Sequence, residues 1–303
     1  MAARHPNVLA YWALAAVCLF WGTTYLGIRI ALESFPPLTL VALRFISSGS
    51  ILLIGALLLG YEMPRGREWL WSVFHGFLTV GIGTGGLVLA ETHIASALAA
   101  LFVATGPFWN VGLDALLPGG ERLHKPAVIG MLIGLAGVLI LVVPDVWGKG
   151  FQGPVWLGFV ILQVGCSAWA LGSCLMRRHQ SRAHPVVAGG VQQLGAGLAF
   201  ALPAWVEVSL QPGRVHWDAQ GLGALAYLVV FGSIVGYSAY VYCISRLPVA
   251  LVSIYNYVNP MVAALLGWLV YSEPFGRRET LAMVVILVGV ALVKRAALKQ
   301  LSS

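Results

Sequence analysis

Ten stretches of nearly unbroken apolar residues run along the chain, separated by short polar connections. They cover about 9–31, 38–60, 70–90, 94–117, 126–144, 154–176, 185–207, 221–243, 248–271 and 279–294. A helix needs roughly 20 apolar residues to cross the hydrocarbon core of a bilayer. The stretches do not alternate apolar with polar residues, as the strands of a membrane barrel would. In lipid every backbone group must find its partner within the protein, so the pattern predicts helices throughout. The expected fold is an all-α integral membrane protein of ten transmembrane helices. The connections are too short to hold an extramembrane domain.

Composition agrees with this reading. Of 303 residues, 59% are hydrophobic and only 10% charged, against roughly 25% charged in a soluble domain. The net charge of +7 does not call for a nucleic acid partner, because the bases sit in the connections. With the N-terminus inside, Arg4, Arg65, Arg67, Arg122, Lys125, Arg177, Arg178, Arg182, Arg246, Lys294, Arg295 and Lys299 face the cytoplasm. Arg29, Lys149, Arg214, Arg277 and Arg278 face outward, and Arg44 lies within a span. That bias predicts both termini in the cytoplasm. Cys18, Cys166, Cys174 and Cys243 lie inside apolar runs without metal-ligand spacing, as small buried hydrophobes do. No cleavable leader is expected, since the first apolar run is long enough to span.

The two halves repeat. At a shift of 148, Trp21 meets Trp169, Pro37 meets Pro185 and Gly49 meets Gly197. At 153, Gly83 meets Gly236 and Pro107 meets Pro260. At 152, Glu121 meets Glu273 and Gly137 meets Gly289. Five helices per half, an odd number, would invert the second half (149–303) relative to the first (1–148). Inverted repeats underlie alternating access, with substrate held between them near mid-membrane.

Several segments also carry a resemblance. They are LFWGTTYLGIRIALESFPPLTLVALRF at 19–45, GPFWN at 106–110, GERL at 120–123, YNYVNP at 255–260 and LLGWLVYSEP at 265–274. The chain resembles the EamA-type, ten-helix branch of the drug/metabolite transporter superfamily over about 9–295. Within that branch it is most similar to YddG-type amino-acid exporters. The resemblance implies a transporter of the bacterial inner membrane that exports amino acids, with aromatic residues lining its cavity.

Candidate binding residues come from polar and aromatic groups deep in the spans. Trp21, Trp109 and Trp169 lie deeper than the tryptophans at span ends, and an indole offers a flat apolar face with one donor. Thr24, Tyr25, Thr79, Tyr237, Tyr240 and Asn256 are the polar candidates; helix-to-helix bonding is the competing role for threonines and serines. Asn110 and Asn259 flank Pro107 and Pro260 and are read as partners for carbonyls that proline leaves free. Arg44 is the one strongly basic side chain well inside a span. It must face protein or a wet cavity, either as a structural or gating group or as counter-ion to a substrate carboxylate. No acidic residue falls near the centre of a span, which argues against export of cationic drugs. His75 is read as a packing residue, with proton carriage as the alternative.

Gly81, Gly83 and Gly86 spell GxGxxG, but the dinucleotide-binding form follows a strand and opens a helix. Here the glycines lie inside an apolar helix and suit close helix packing. No HExxH, GxSxG or acidic cluster points to an enzyme, and no P-loop to primary transport. The expectation is a monomeric secondary transporter of neutral or aromatic amino acids and related small metabolites, without cofactor or metal. A sugar, nucleoside or drug carrier is the alternative; a channel or membrane enzyme is a distant third.

Overall fold

The computed structural model describes residues 8–94, 96–120, 124–146, 153–179, 183–271 and 276–302. Arg4, Glu121, Arg122, Trp147, Lys149, Arg182 and Glu273, placed by the sequence near span ends, lie outside these residues, as does most of the 120–123 motif. The described residues form ten helical rods and no strand. They are α1 (Val8–Ser34), α2 (Pro37–Leu58), α3 (Arg67–Glu91), α4 (Ser96–Val103 and Gly106–Leu116) and α5 (Lys125–Val146). The second half holds α6 (Gly153–Arg178), α7 (Pro185–Leu210), α8 (Ala219–Ile244), α9 (Val249–Val252 and Tyr255–Tyr271) and α10 (Arg277–Ser302). Among the described residues, α1 to α4 and α6 to α8 are long and apolar enough to cross a membrane, and 125–140 and 249–262 are shorter apolar helices.

Local chemistry sets the helix starts. Pro37 and Pro185 each occupy the first turn of their helix, where the missing N–H costs nothing and φ is already helical. The free donors of α2 are met from another helix. Glu207, near the end of α7, accepts from the N–H groups of Leu38 (3.2 Å) and Thr39 (2.9 Å) and from the Thr39 hydroxyl (3.0 Å). A carboxylate there also complements the positive end of the helix dipole. Replacing Glu207 with Ala should lower stability by about 1–2 kcal/mol, measurable as a lower unfolding midpoint in detergent, with Glu207→Gln between the two.

Asp218 does the same at α8. Its carboxylate accepts from the N–H of Gly221 at 2.6 Å and from the hydroxyl of Ser34 at 2.8 Å. These bonds hold its carboxyl below the usual carboxylate range. A depressed value means the contribution is present at neutral pH and lost as pH falls through the folded value. Protection of the amides at the start of α8, measured against their intrinsic exchange rates, should therefore fall below about pH 4, and Asp218→Asn should flatten that dependence.

The helices pack in exchanged pairs. α2 lies along α7 and α5 along α10, while α1 is gripped by α8 and α9, and α6 by α3 and α4. The first two contacts are made backbone to backbone. A Cβ on Gly49 would stand 2.4 Å from the Leu194 nitrogen, and one on Gly197 2.6 Å from the Ile46 nitrogen. Likewise a Cβ on Gly137 would come within 2.8 Å of the Ile286 nitrogen, and one on Gly289 within 2.5 Å of the Gly134 nitrogen. Small residues permit such approach, which replaces a hydrophobic drive that lipid does not supply. The glycines that match in sequence thus face each other's helices. Pro107 and Pro260 are not so matched: Pro107 opens the second piece of α4, whereas Pro260 sits inside the second piece of α9.

Two irregularities recur in both halves. α3 runs as π-helix over Phe77–Thr84 and α8 over Leu228–Val235. α4 breaks at 104–105 and α9 at 253–254. Non-helical backbone at membrane depth is tolerated where it borders protein or a cavity, and π segments gather at functional sites. Three of them adjoin the central cavity, and the π segment of α8 lies behind its wall, where Gly232 and Ser233 bond Trp21 and Arg44.

Candidate functional site: a central cavity walled by paired tryptophans

The end of the α3 π segment and residues flanking the α4 and α9 breaks border a cavity of ≈ 90 Å³, several times the ~10–15 Å³ that one water requires. Trp21, Thr24 and Tyr25 of α1, Arg44 of α2, Trp169 of α6 and Asn256 of α9 line it. Gly83 and Thr84 of α3, Asn110 of α4, Cys166 of α6, and Tyr255 and Asn259 of α9 complete much of the wall. None of the described lining residues is acidic.

Trp21 and Trp169 meet edge to face, with centroids 5.2 Å apart at 86°, the arrangement that ring quadrupoles favour. Tyr255 packs at 4.9 Å and 85° on Trp21. Each indole sits where a glycine of the other half makes room. A Cβ on Gly236 would be 2.5 Å from Trp21 Nε1, and one on Gly83 2.9 Å from Trp169 Cε3. Trp21 Nε1 donates to the carbonyl of Gly232 at 2.9 Å. That carbonyl lies in the π segment of α8, where the regular ladder is interrupted. Thus the GxGxxG run works as packing surface, and Gly83 within it makes room for Trp169.

Behind the tryptophans lies a hydrogen-bonded layer. Trp169 Nε1 donates to the Tyr240 hydroxyl at 3.0 Å, and that hydroxyl bonds Ser173 Oγ at 2.5 Å. The Tyr237 hydroxyl donates to Gln192 Oε1 at 2.7 Å and lies 2.8 Å from Thr79 Oγ1, which also bonds the His75 carbonyl. Thr79, Tyr237 and Tyr240 are therefore buried in this layer and do not line the cavity. Tyr237 and Tyr240 lie toward the end of α8 that sits beside the chain termini. Two contacts set that placement: Cys243 near the end of α8 bonds the Ala10 carbonyl at the start of α1, and Lys294 of α10 lies over Tyr11.

Trp109 is elsewhere. It is exposed beside α6 and donates to Gln163 Oε1 at 2.9 Å. One residue on, the buried Asn110 turns the opposite way, into the cavity. Its Nδ2 donates to the Gly106 carbonyl at 3.0 Å, so it serves the α4 break as well. Asn259 donates to the carbonyls of Tyr255 (3.0 Å) and Cys18 (3.2 Å), the amide orientation its neighbours require. Both residues thus bond backbone carbonyls and face the cavity together. Tyr255 and Cys166 escaped sequence reasoning; the break before Tyr255 carries no proline or glycine to signal it. His75 is buried away from the cavity, 5.9 Å from the Trp71 ring and 6.1 Å from that of His179. At the same end, Asp114 of α4 holds Arg178 of α6 at 2.9 Å.

Comparison with known proteins gives the family. The model of the EamA-like transporter family matches residues 8–143 and again 156–295. The chain belongs to the EamA-like transporter family. It is 35% identical over 287 residues to the "Uncharacterized inner membrane transporter YedA" of Escherichia coli, covering 93% of this chain and 89% of that protein. It is 26% identical to the "Probable amino-acid metabolite efflux pump" of Escherichia coli, over 94% of this chain and 93% of that one. A solved crystal structure shares the fold, with a TM-score of 0.82 at 23% identity over 98% of this chain and all of that one. This EamA-family protein is a multi-pass membrane transporter of the drug/metabolite transporter superfamily, and its substrate is a small molecule.

Proposed function

We propose that this EamA-family protein is a secondary transporter that exports aromatic and neutral amino acids, and related zwitterionic metabolites, by alternating access. In this reading residues 1–148 and 149–303 are inverted five-helix repeats that rock about the central cavity. The protein resides in the bacterial inner membrane with both termini in the cytoplasm, acts as a monomer, and has no enzymatic activity. One observation carries the proposal: equivalent tryptophans from the two halves form one wall of a cavity that has a hydrogen-bonded layer on one side. That layer is the gate that opens when the repeats rock. The relative named an amino-acid metabolite efflux pump supports the substrate class, and the positive-inside bias supports the orientation.

The test is flux of radiolabelled phenylalanine, tryptophan, methionine and threonine across proteoliposomes, with and without a pH gradient. Saturable flux is expected, reduced at least tenfold in Trp169→Ala, which removes one of the two indole faces of the cavity. Flux that survives Trp169→Ala would remove the tryptophan wall from the binding site. No flux of any of the four from folded protein would move the substrate to sugars, nucleosides or other metabolites.

A further inference from the structure

Two buried polar atoms on the cavity wall have no hydrogen-bond partner: Nη1 of Arg44 and Oδ1 of Asn110. Both residues are at least nine-tenths buried, at 4% and 3% exposed. The rest of each group is committed. Arg44 Nε donates to Ser233 Oγ at 2.8 Å. Its Nη2 end lies against Gly232, where a Cβ would come within 2.7 Å. Asn110 Nδ2 is held by the Gly106 carbonyl, so the oxygen is the free end of that amide. Among the described residues no acid pairs with Arg44 and no lining residue is acidic. A buried guanidinium without a counter-ion and a buried acceptor without a donor are both costly, and a ligand that meets both relieves both.

We infer that Arg44 and Asn110 form a head-group subsite for an α-amino acid as its zwitterion. Arg44 Nη1 takes the carboxylate, Asn110 Oδ1 takes an N–H of the α-ammonium, and the tryptophan wall takes the side chain. The inference rests on the transporter reading of the cavity and adds the chemistry of selection. A cationic donor faced by a neutral acceptor suits one carboxylate and one ammonium. An amine without a carboxylate leaves Arg44 unpaired, and a carboxylate without an amine leaves Asn110 unpaired.

Binding to the full-length protein in detergent tests this without requiring transport. The probes are L-phenylalanine, L-phenylalaninamide, 3-phenylpropionate and phenethylamine, titrated calorimetrically. Phenylalanine should bind at least ~tenfold more tightly than each of the other three, because each lacks either the carboxylate charge that pairs Arg44 or the ammonium that donates to Asn110. Arg44→Gln should erase the preference for phenylalanine over its amide, and Asn110→Ala the preference over 3-phenylpropionate. The wild-type series stands alone if a variant fails to fold. Equal binding of phenylalanine and its amide to the wild type overturns the role of Arg44. Equal binding of phenylalanine and 3-phenylpropionate overturns that of Asn110. Binding of none of the four overturns the subsite. The expected binding order without flux in proteoliposomes would leave the subsite standing and remove the transport of amino acids.

Discussion

Gly49→Val should abolish stable assembly of the protein, lowering the unfolding midpoint sharply and sending most expressed material to aggregate. The Cβ alone would stand 2.4 Å from the Leu194 nitrogen and 2.7 Å from its Cα, well inside the ~3.5 Å of an ordinary contact. The obstacle is backbone, which cannot rotate aside. α2 and α7 would have to separate along their length, forfeiting the close packing that holds helices together in lipid. Overpacking of this kind costs about 3 kcal/mol or more. Gly197→Val should behave alike, since its Cβ would meet Ile46 at 2.6 Å. Gly55, on the same helix, has nothing within 4 Å of its Cβ position. Gly55→Ala should therefore be neutral or stabilising by ~0.5–1 kcal/mol. Equal behaviour of the Gly49 and Gly55 variants in detergent melts would refute the packing argument.

Gly236→Val separates function from folding. Its Cβ would fall 2.5 Å from Nε1 and 2.9 Å from Cδ1 of Trp21. Here the nearest obstacle is the Trp21 side chain, and while the Phe231 carbonyl oxygen at 3.0 Å gives by a few tenths of an ångström, the indole can move by about 1 Å instead of the helix. Doing so breaks its bond to the Gly232 carbonyl and its edge contact with Trp169. The expected result is near-wild-type expression and monodispersity with flux reduced by about a hundredfold, the scale of a 1 Å misplacement at a reacting or binding centre. Gly83→Val should repeat the effect through Trp169. A Gly236→Val protein with wild-type flux would show that the position of Trp21 does not matter to transport.

Helix placement was legible to within a few residues because hydropathy is a property of the residue alone. α7 begins at Pro185 as expected, and α2 and α6 begin one residue early. α3 and α10 run past their apolar stretches, to Arg67 at one end and Ser302 at the other. There the polar residues leave the lipid while the backbone ladder continues, so hydropathy marks the edge of the bilayer and not the end of the helix. The matches Gly49/Gly197 and Gly137/Gly289 were also legible, and they fall where α2 meets α7 and α5 meets α10 backbone to backbone. The π turns were not, since they reflect how α3 and α8 fit around two indoles and leave no trace in composition.

The sequence by itself therefore determined that this is a ten-helix membrane protein with matching halves, and it offered several polar residues, Arg44, Asn110 and Asn256 among them, that are buried in it. Only the tertiary structure decided which way those residues turn. These helices are apolar nearly all round, so no hydrophobic stripe marks an inward face as it would in water. Trp109 and Asn110 are neighbours in sequence with similar burial prospects, yet one lies on the outside of the bundle and the other in the cavity. Tyr237 and Tyr240 pass from expected lining to the layer behind it because hydrogen bonds to Thr79, Gln192, Ser173 and Trp169 claim their hydroxyls. Those partners sit 45 to 158 residues away, and only folding brings them within reach.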